Sequence, residues 1–385
     1  MPATAAAVRP EHRRLRVMHV LQSLQVGGLE KVVHNLVRAT ADDTDSLVFA
    51  THEEGPLRGA LEAAGAVVRC ANAGAGLQPR LPWALATAAR AFGADVVHSH
   101  HLGPFLYSAP AAALLRLPHI HTEHSHEFYD TPRRRLLGRS LGRSAQVVAC
   151  SAAVARFHQE TFGTTVQVID NGVDVDADAV ADVWPGDGDA ARREARCRLG
   201  VHDDNAVVLG CVARLAPEKD HAILLTAFAA LLAGRNSDSR PVYLVLVGDG
   251  PERAALEQQA REERLTPWVR FLGTRSDVSA LWPGIDLAVL ASRREGLPLS
   301  LLEGLAAGVP FVATAVGAVP SLAAFGAVVR PQDTGALAQG LAFLVDDDVR
   351  RHALGEAGRR EVIDRYSTTA MAAGYRQLWR QAVGA

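Results

Sequence analysis

Apolar residues along this chain come in two alternating rhythms. Short, largely β-branched runs occupy the first half: RVMHVLQSL, SLVFAT, AVVRCA, DVVHSH, HIHTEHS, QVVACS and VQVIDNG. Runs this short and this apolar predict parallel strands covered on both faces. Between them, residues 29–40, 56–64, 81–92, 104–116 and 152–162 have the length and spacing of helices. The rhythm stops at 175–191, VDADAVADVWPGDGDAA, which is acidic, carries Pro and Gly, and reads as a linker. It then restarts with AVVLGCVA, VYLVLVGDG, VRFLGT, DLAVLAS, PFVATAV and AVVRP, six further strand candidates separated by helices.

This pattern predicts an α/β protein of two doubly wound, Rossmann-like domains in tandem. The expected boundaries are a disordered lead-in over 1–15, a first domain over 16–180 and a second over 181–366. A closing helix within 367–385 has no strand after it and is expected to pack back on the first domain. In such a pair, ligands bind at the carboxyl ends of strands, so a cleft between the domains is the expected site.

Length agrees, since 385 residues exceed one ordinary core. With 48% hydrophobic and 21% charged residues the composition is that of a soluble globular protein. A net charge of −2 gives no global field for nucleic acid or membrane, so no nucleic-acid partner is expected. No apolar run is long enough to span a bilayer, and MPATAAAVRPEHRRLR lacks the apolar core of a signal peptide. The four cysteines show no CxxC spacing and read as thiols of a reducing cytoplasm. One detail is sharper. Of 40 cationic residues only Lys31 and Lys219 are lysines, and a lysine retained in so arginine-rich a chain suggests a need for a compact ammonium.

Unusual residues follow several of the expected strands. Gly27 and Gly28 open the first helix and leave its amides accessible to an anion, without the G-x-G-x-x-G spacing of a dinucleotide site. In CVARLAPEKD, a turn can aim Arg214 and Lys219 at one point, where two cations would neutralise a diphosphate without a metal. In SRREGLPLSLLEGLAAGVP, Glu295 precedes a helix expected to begin at Pro298, and Glu303 lies inside it. Amides near Gly296, Leu297, Leu299 and Ser300 suit phosphate oxygens. Carboxylates beside such a site need hydroxylated partners, so the pair suggests a ligand with a sugar on each side of its phosphates.

Taken together, GGLEK, HTEHS, NGVD, ARLAPEKD, LVGDGP, FLGTRSD and EGLPLSLLEGLAAGVP resemble the family-4 retaining glycosyltransferases of GT-B fold, also described as glycosyltransferase group 1. The resemblance runs in the family's order from residue 17 to about 320 and implies two Rossmann-like domains facing across a cleft. It further implies transfer of a hexosyl or N-acetylhexosaminyl group from a nucleoside-diphosphate sugar, such as a UDP- or GDP-sugar, to a hydroxyl acceptor. The acceptor class stays open between a saccharide, a lipid-linked sugar and a small metabolite, as does the setting between polysaccharide, glycolipid and metabolite biosynthesis. Carried over residue by residue, Glu295 would bind the transferred sugar with the Gly296 and Leu297 amides, and Glu303 the ribose. Arg214 and Lys219 would hold the diphosphate, joined by Gly28. His124 would lie beside the reacting sugar, and the backbone at Thr274 and Arg275 would meet the base. No cofactor and no metal is implied.

Three signals are set aside. The histidines at 98, 100, 101, 119, 121, 124 and 126 suggest a metal cluster, but His119 and His121 alternate along a strand with other residues, and the family resemblance implies no metal; lining of the site by His124, with His100 and His126, is the favoured reading. Asp176–Asp178 and Asp187–Asp189 match D-x-D but fall in the acidic linker. Arg133, Arg134, Arg135, Arg139 and Arg143 interleave with leucines; a solvated helix face is favoured over contact with a phospholipid surface or a lipid-diphosphate acceptor. The expected location is cytoplasmic, with peripheral contact at the inner membrane face as the open alternative. Rival functions are a non-transferring GT-B enzyme such as a nucleotide-sugar 2-epimerase, and an inactive sugar-nucleotide-binding protein.

Overall fold

Alternate residues of the second strand serve two different cores. Leu47 and Phe49 join Met18, Val20 and Val97 under the helix Leu81–Phe92, whereas Val48 and Ala50 join Val33, Val37 and Val68 on the other face. That two-residue period, with both faces buried, is what a covered parallel sheet requires. The computed structural model describes residues 13–25, 27–125, 129–175, 189–236 and 238–384. Within them the first sheet contains β1 (Leu15–Ser23), β2 (Thr44–Glu53), β3 (Val67–Cys70), β4 (Val96–His100), β5 (His119–Glu123), β6 (Gln146–Ala149) and β7 (Gln167–Val168), in the order β3-β2-β1-β4-β5-β6-β7.

The second sheet contains β8 (Val207–Val212), β9 (Val242–Val247), β10 (Val269–Gly273), β11 (Leu287–Leu290), β12 (Phe311–Thr314) and β13 (Gly326–Val329). Its order is β10-β9-β8-β11-β12-β13, every pair parallel. Its core is built from Leu209, Leu224, Phe228, Leu244, Leu287 and Leu341 among others. In both sheets the winding direction reverses once, between β1 and β4 and between β8 and β11. Ligands of doubly wound sheets bind beyond the carboxyl ends of the strands at such a reversal. The loops after β8 and β11 are therefore the ones to inspect.

By its contacts the chain forms two compact units, Met1–His121 with Leu141–Gln146 and Tyr375–Ala385, and Thr122–Ser140 with Val147–Gly374. In the first, the end of the helix Thr368–Val383 buries Tyr375 and Trp379 against His98, and Arg376 and Arg380 bind Asp43. The lead-in residues 1–12 and linker residues 176–188, with Asp176, Asp178 and Asp187, lie outside the described residues. The last linker residues, from Asp189, instead begin the helix Asp189–Leu199. A buried ion pair anchors that helix: Arg196 binds Asp286 at 2.9 Å and the carbonyls of Asp203, Asp204 and Ala206, while the partly exposed Arg192 reaches the other Asp286 oxygen at 2.5 Å.

Candidate active site

All the geometry that follows lies within the second unit unless stated otherwise. After β8 the chain runs through Ala213–Ala216 into a 3-10 turn, Pro217–Lys219, and Asp220 then takes a left-handed φ of 51°. This loop is laid backbone-to-backbone against the one after β9. Leu215 donates to the Asp249 carbonyl at 3.0 Å and accepts from the Glu252 amide at 3.0 Å. A Cβ on Gly248 or Gly250 would collide with the Ala213 or Leu215 carbonyl, which accounts for both glycines of LVGDGP.

The loop after β11 locks onto the same turn from the other side of the reversal. Arg293 donates its amide to the Glu218 carbonyl at 2.8 Å, and its guanidinium grips Asp220 at 2.6 and 3.1 Å. Lys219 places its Nζ 2.6 Å from Glu295 Oε1, and Ser292 Oγ donates to that same oxygen at 2.6 Å. Thr314, at the end of β12, donates to the Ser292 carbonyl at 2.6 Å. Glu295 is 7% exposed. A carboxylate this buried requires a charged or hydrogen-bonding partner, and it has both.

The two cations do not converge. Arg214 is expected beside Lys219, but its guanidinium binds Glu218 at 2.6 Å and is largely exposed, while Lys219 turns to Glu295. The cause is local: Glu218 lies four residues from Arg214, close enough to engage it. His221, next in the chain, is fully buried with neither ring nitrogen hydrogen-bonded. Burial, and secondarily the Lys219 charge, lower its pKa to about 4, so it adds no charge at neutral pH.

Gly296 sits where backbone crowds it. A Cβ there would strike the His124 carbonyl oxygen, and one on Gly317, at φ 54°, would strike the Glu295 carbonyl. The Gly296 carbonyl accepts from the Ala318 amide at 2.8 Å. His124, which follows β5, is thus adjacent to the Glu295–Gly296 peptide. Pro298 is the N-cap of the helix Leu299–Ala306 rather than its first residue, and no side chain caps that helix. Leu297 and Leu299 are buried, so their backbones rather than their side chains are what they can offer a ligand. Glu303 lies in the second turn, half-buried between Leu302 and Gly304.

Thr274 and Arg275 follow β10, the edge strand; Thr274 is exposed and Arg275 binds Asp277 at 2.8 and 2.6 Å. Hydrogen bonds from Arg275 and then Arg198 hold the Asp277 carboxyl at about 2. Gly27 and Gly28 belong to the first unit, where Gly27 caps the helix Gly28–Thr40 without a side-chain bond. The Glu30 carboxylate folds over Gly27 and occupies the space a Cβ would need.

Two expectations about histidines change. His100 does not line an open site; it is buried in the first unit with His19 and His98. His126 lies outside the described residues. His19, absent from the sequence-based cluster, brings Nδ1 within 3.3 Å of His100 Nε2. Among the described residues, His19, His98 and His100 are the histidines close enough together to hold a metal ion. Burial lowers the His19 pKa to about 3, so it is neutral. Sequence reasoning also missed Ser292, Arg293 and Asp220. Their signal was the opposed charge order of EKD and SRRE on loops flanking one reversal.

This arrangement holds a cation against a carboxylate, four residues before an uncapped helix start. An anion can draw the ammonium away and free Glu295 to accept bonds from hydroxyls. Two family models match the chain: Glycosyltransferase Family 4 over residues 26–177 and Glycosyl transferases group 1 over residues 206–347. The putative glycosyltransferase EpsF of Bacillus subtilis is 30% identical over 77% of this chain and 78% of its own. A D-inositol 3-phosphate glycosyltransferase of Corynebacterium glutamicum is 28% identical over 75% of this chain and 72% of its own. Anabaena HepE, crystallised with UDP and glucose, matches with a TM-score of 0.81 at 22% identity over 96% of this chain and 100% of that one. The fold is GT-B.

Proposed function

The chain belongs to glycosyltransferase family 4 and is a glycosyltransferase, and from that premise we propose that it transfers a sugar from a nucleoside-diphosphate donor to a hydroxyl, with retention at the anomeric carbon. The observation that supports this most is the Lys219–Glu295 contact, 2.6 Å, at the β8/β11 reversal. A carboxylate and an ammonium held together there match a ligand that is part sugar and part phosphate.

In this reading the bond from the anomeric carbon to the diphosphate breaks and a bond to the acceptor oxygen forms. The acceptor proton leaves with the diphosphate. Lys219 stabilises the charge that grows on the departing oxygens, and Arg214 joins it by exchanging Glu218 for phosphate. Glu295, with the Gly296 and Leu297 amides, holds the hydroxyls of the transferred sugar. His124 stands beside that sugar, and Glu303 accepts from the ribose. Leu299 contributes its amide to the phosphates, and Thr274 and Arg275 their backbone to the base. Gly27 and Gly28 are assigned to the diphosphate on family resemblance. Charge neutralisation by side chains and helix amides makes a metal unnecessary.

The donor is a uridine or guanosine diphosphate sugar, and the acceptor a hydroxyl of a saccharide, a lipid-linked sugar or a small metabolite. Incubation with a panel of both donor types, followed by NMR of the released or transferred sugar, tests the reading. Retention at the anomeric carbon is expected. An inverted product, or interconversion of the donor sugar without nucleotide release, would overturn it.

A further inference from the structure

Two donors share a single oxygen of Glu295. Lys219 Nζ and Ser292 Oγ both lie 2.6 Å from Oε1, and among the described residues no hydrogen bond reaches Oε2. The donors differ in what holds them. Lys219 reaches in from the loop after β8 on a flexible four-carbon stem, and its side chain keeps 22% exposure. Ser292 is fully buried, on the loop that carries Glu295 itself. Its carbonyl accepts from Thr314 Oγ1 at 2.6 Å, and Thr314 is the buried last residue of β12. That strand pairs with β11 on one side and β13 on the other, so the anchor belongs to the interior of the sheet. All of these residues lie in the second unit.

On the donor reading given above, on which this inference rests, Lys219 leaves Glu295 for the diphosphate. Glu295 is then a buried carboxylate that has lost its counter-ion, and such a group without a donor is strongly disfavoured. Left alone it would follow the ammonium, carrying its oxygens toward the phosphates and away from the sugar. The Ser292 hydroxyl is the donor that stays. An ionised carboxylate only accepts, so the hydroxyl proton points at it, and the Thr314 bond fixes the backbone from which it points. With Oε1 held in this way, Oε2 is the oxygen offered to a sugar hydroxyl. A serine that merely satisfied its own burial would bond a nearby carbonyl, as Thr314 does here.

We infer that Ser292 is a positioning residue: it holds Glu295 by Oε1 while Lys219 serves the phosphates, so that Oε2 faces the transferred sugar. This bond serves the sugar and not the nucleotide. Its loss therefore lowers turnover and leaves the affinity for a free nucleoside diphosphate unchanged. A hydrogen bond to a charged group accounts for about tenfold to a hundredfold.

The test uses the full chain with UDP-glucose, UDP-N-acetylglucosamine and GDP-mannose as donors, and UDP and GDP as free nucleotides. Ser292→Ala, Glu295→Ala and the double variant are compared with the wild type by nucleotide release and by titration calorimetry. Ser292→Ala is expected to lose about tenfold to a hundredfold in turnover with unchanged nucleotide affinity. In the Glu295→Ala background the same substitution is expected to cause no further loss, since no carboxylate remains to be held. Thr314→Val, which removes the anchor and keeps the side-chain shape, is expected to show the same pattern to a smaller degree. Thermal midpoints verify that each variant is folded, and Thr314→Val carries the comparison if Ser292→Ala is not. An equal loss in both backgrounds is the mark of a packing role. That result, or normal turnover in Ser292→Ala, would overturn the inference and leave the donor reading intact. A wild type that binds neither UDP nor GDP would overturn the donor reading and the inference with it.

Discussion

Lys219 is the residue whose chemistry is most constrained by its surroundings. Its ammonium is 2.6 Å from a Glu295 oxygen that also accepts from Ser292, leaving no slack for a planar guanidinium. Lys219→Arg is therefore expected to lose about a hundredfold in turnover, since a misplacement of about 1 Å in a positioned site has that effect. Lys31→Arg, on an exposed helix position, is expected to be tolerated. Near-normal turnover in Lys219→Arg would show that any cation serves. The two glutamates should separate as well. Glu303→Gln is expected to weaken nucleotide binding, and Glu295→Gln to lower transfer while leaving nucleotide affinity nearly intact; titration calorimetry beside initial rates distinguishes them. Scarcity, spacing and resemblance singled out Lys219, Glu295 and Gly296 in the sequence, and the Lys219–Glu295 contact is what the structure adds. Ser292, Arg293 and Asp220 were not singled out, because their roles depend on which loops a strand reversal brings together. The divergence of Arg214 from Lys219 was hidden for a similar reason: the sequence shows Glu218 between them, but not the turn that lets it engage Arg214.

At the scale of elements, the thirteen strands among the described residues follow directly from short apolar runs, and even the two-residue β7 coincides with one. What the pattern could not supply is the buried charge that seats the helix Asp189–Leu199. Asp286 is almost wholly buried between Arg192, Arg196 and the Val208 amide. Asp286→Ala leaves Arg196 buried without its counter-ion, which is expected to cost about 3–5 kcal/mol of stability; urea unfolding of the variant checks it. The histidines give a pH dependence of definite sign. His19 titrates at about 3 and His221 at about 4 in the folded chain because burial disfavours their charged forms, against about 6.5 when unfolded. Between those values the unfolded chain binds more protons, so stability is complete above about 6.5 and is lost as pH falls toward 3. Thermal midpoints measured from pH 7.5 to 4 are expected to decline, and a flat profile would show that these imidazoles are not held neutral.

For the whole molecule, two doubly wound sheets present the same topological device twice, and in the second unit Lys219, Glu295 and Arg293 meet across the loops at its reversal. If Lys219, Arg214 and helix amides neutralise the departing diphosphate, activity should survive EDTA; complete loss restored by added metal would contradict that. The most direct measurement is nucleoside-diphosphate release from a panel of UDP- and GDP-sugars by the wild type and by Lys219→Ala, with nucleotide affinity followed in parallel. The expected result is release from at least one donor by the wild type and a loss of about 10²–10³ in rate in the variant, as for removal of a preorganised charge stabiliser. Undiminished release by Lys219→Ala would contradict the assignment of this ammonium to the leaving group.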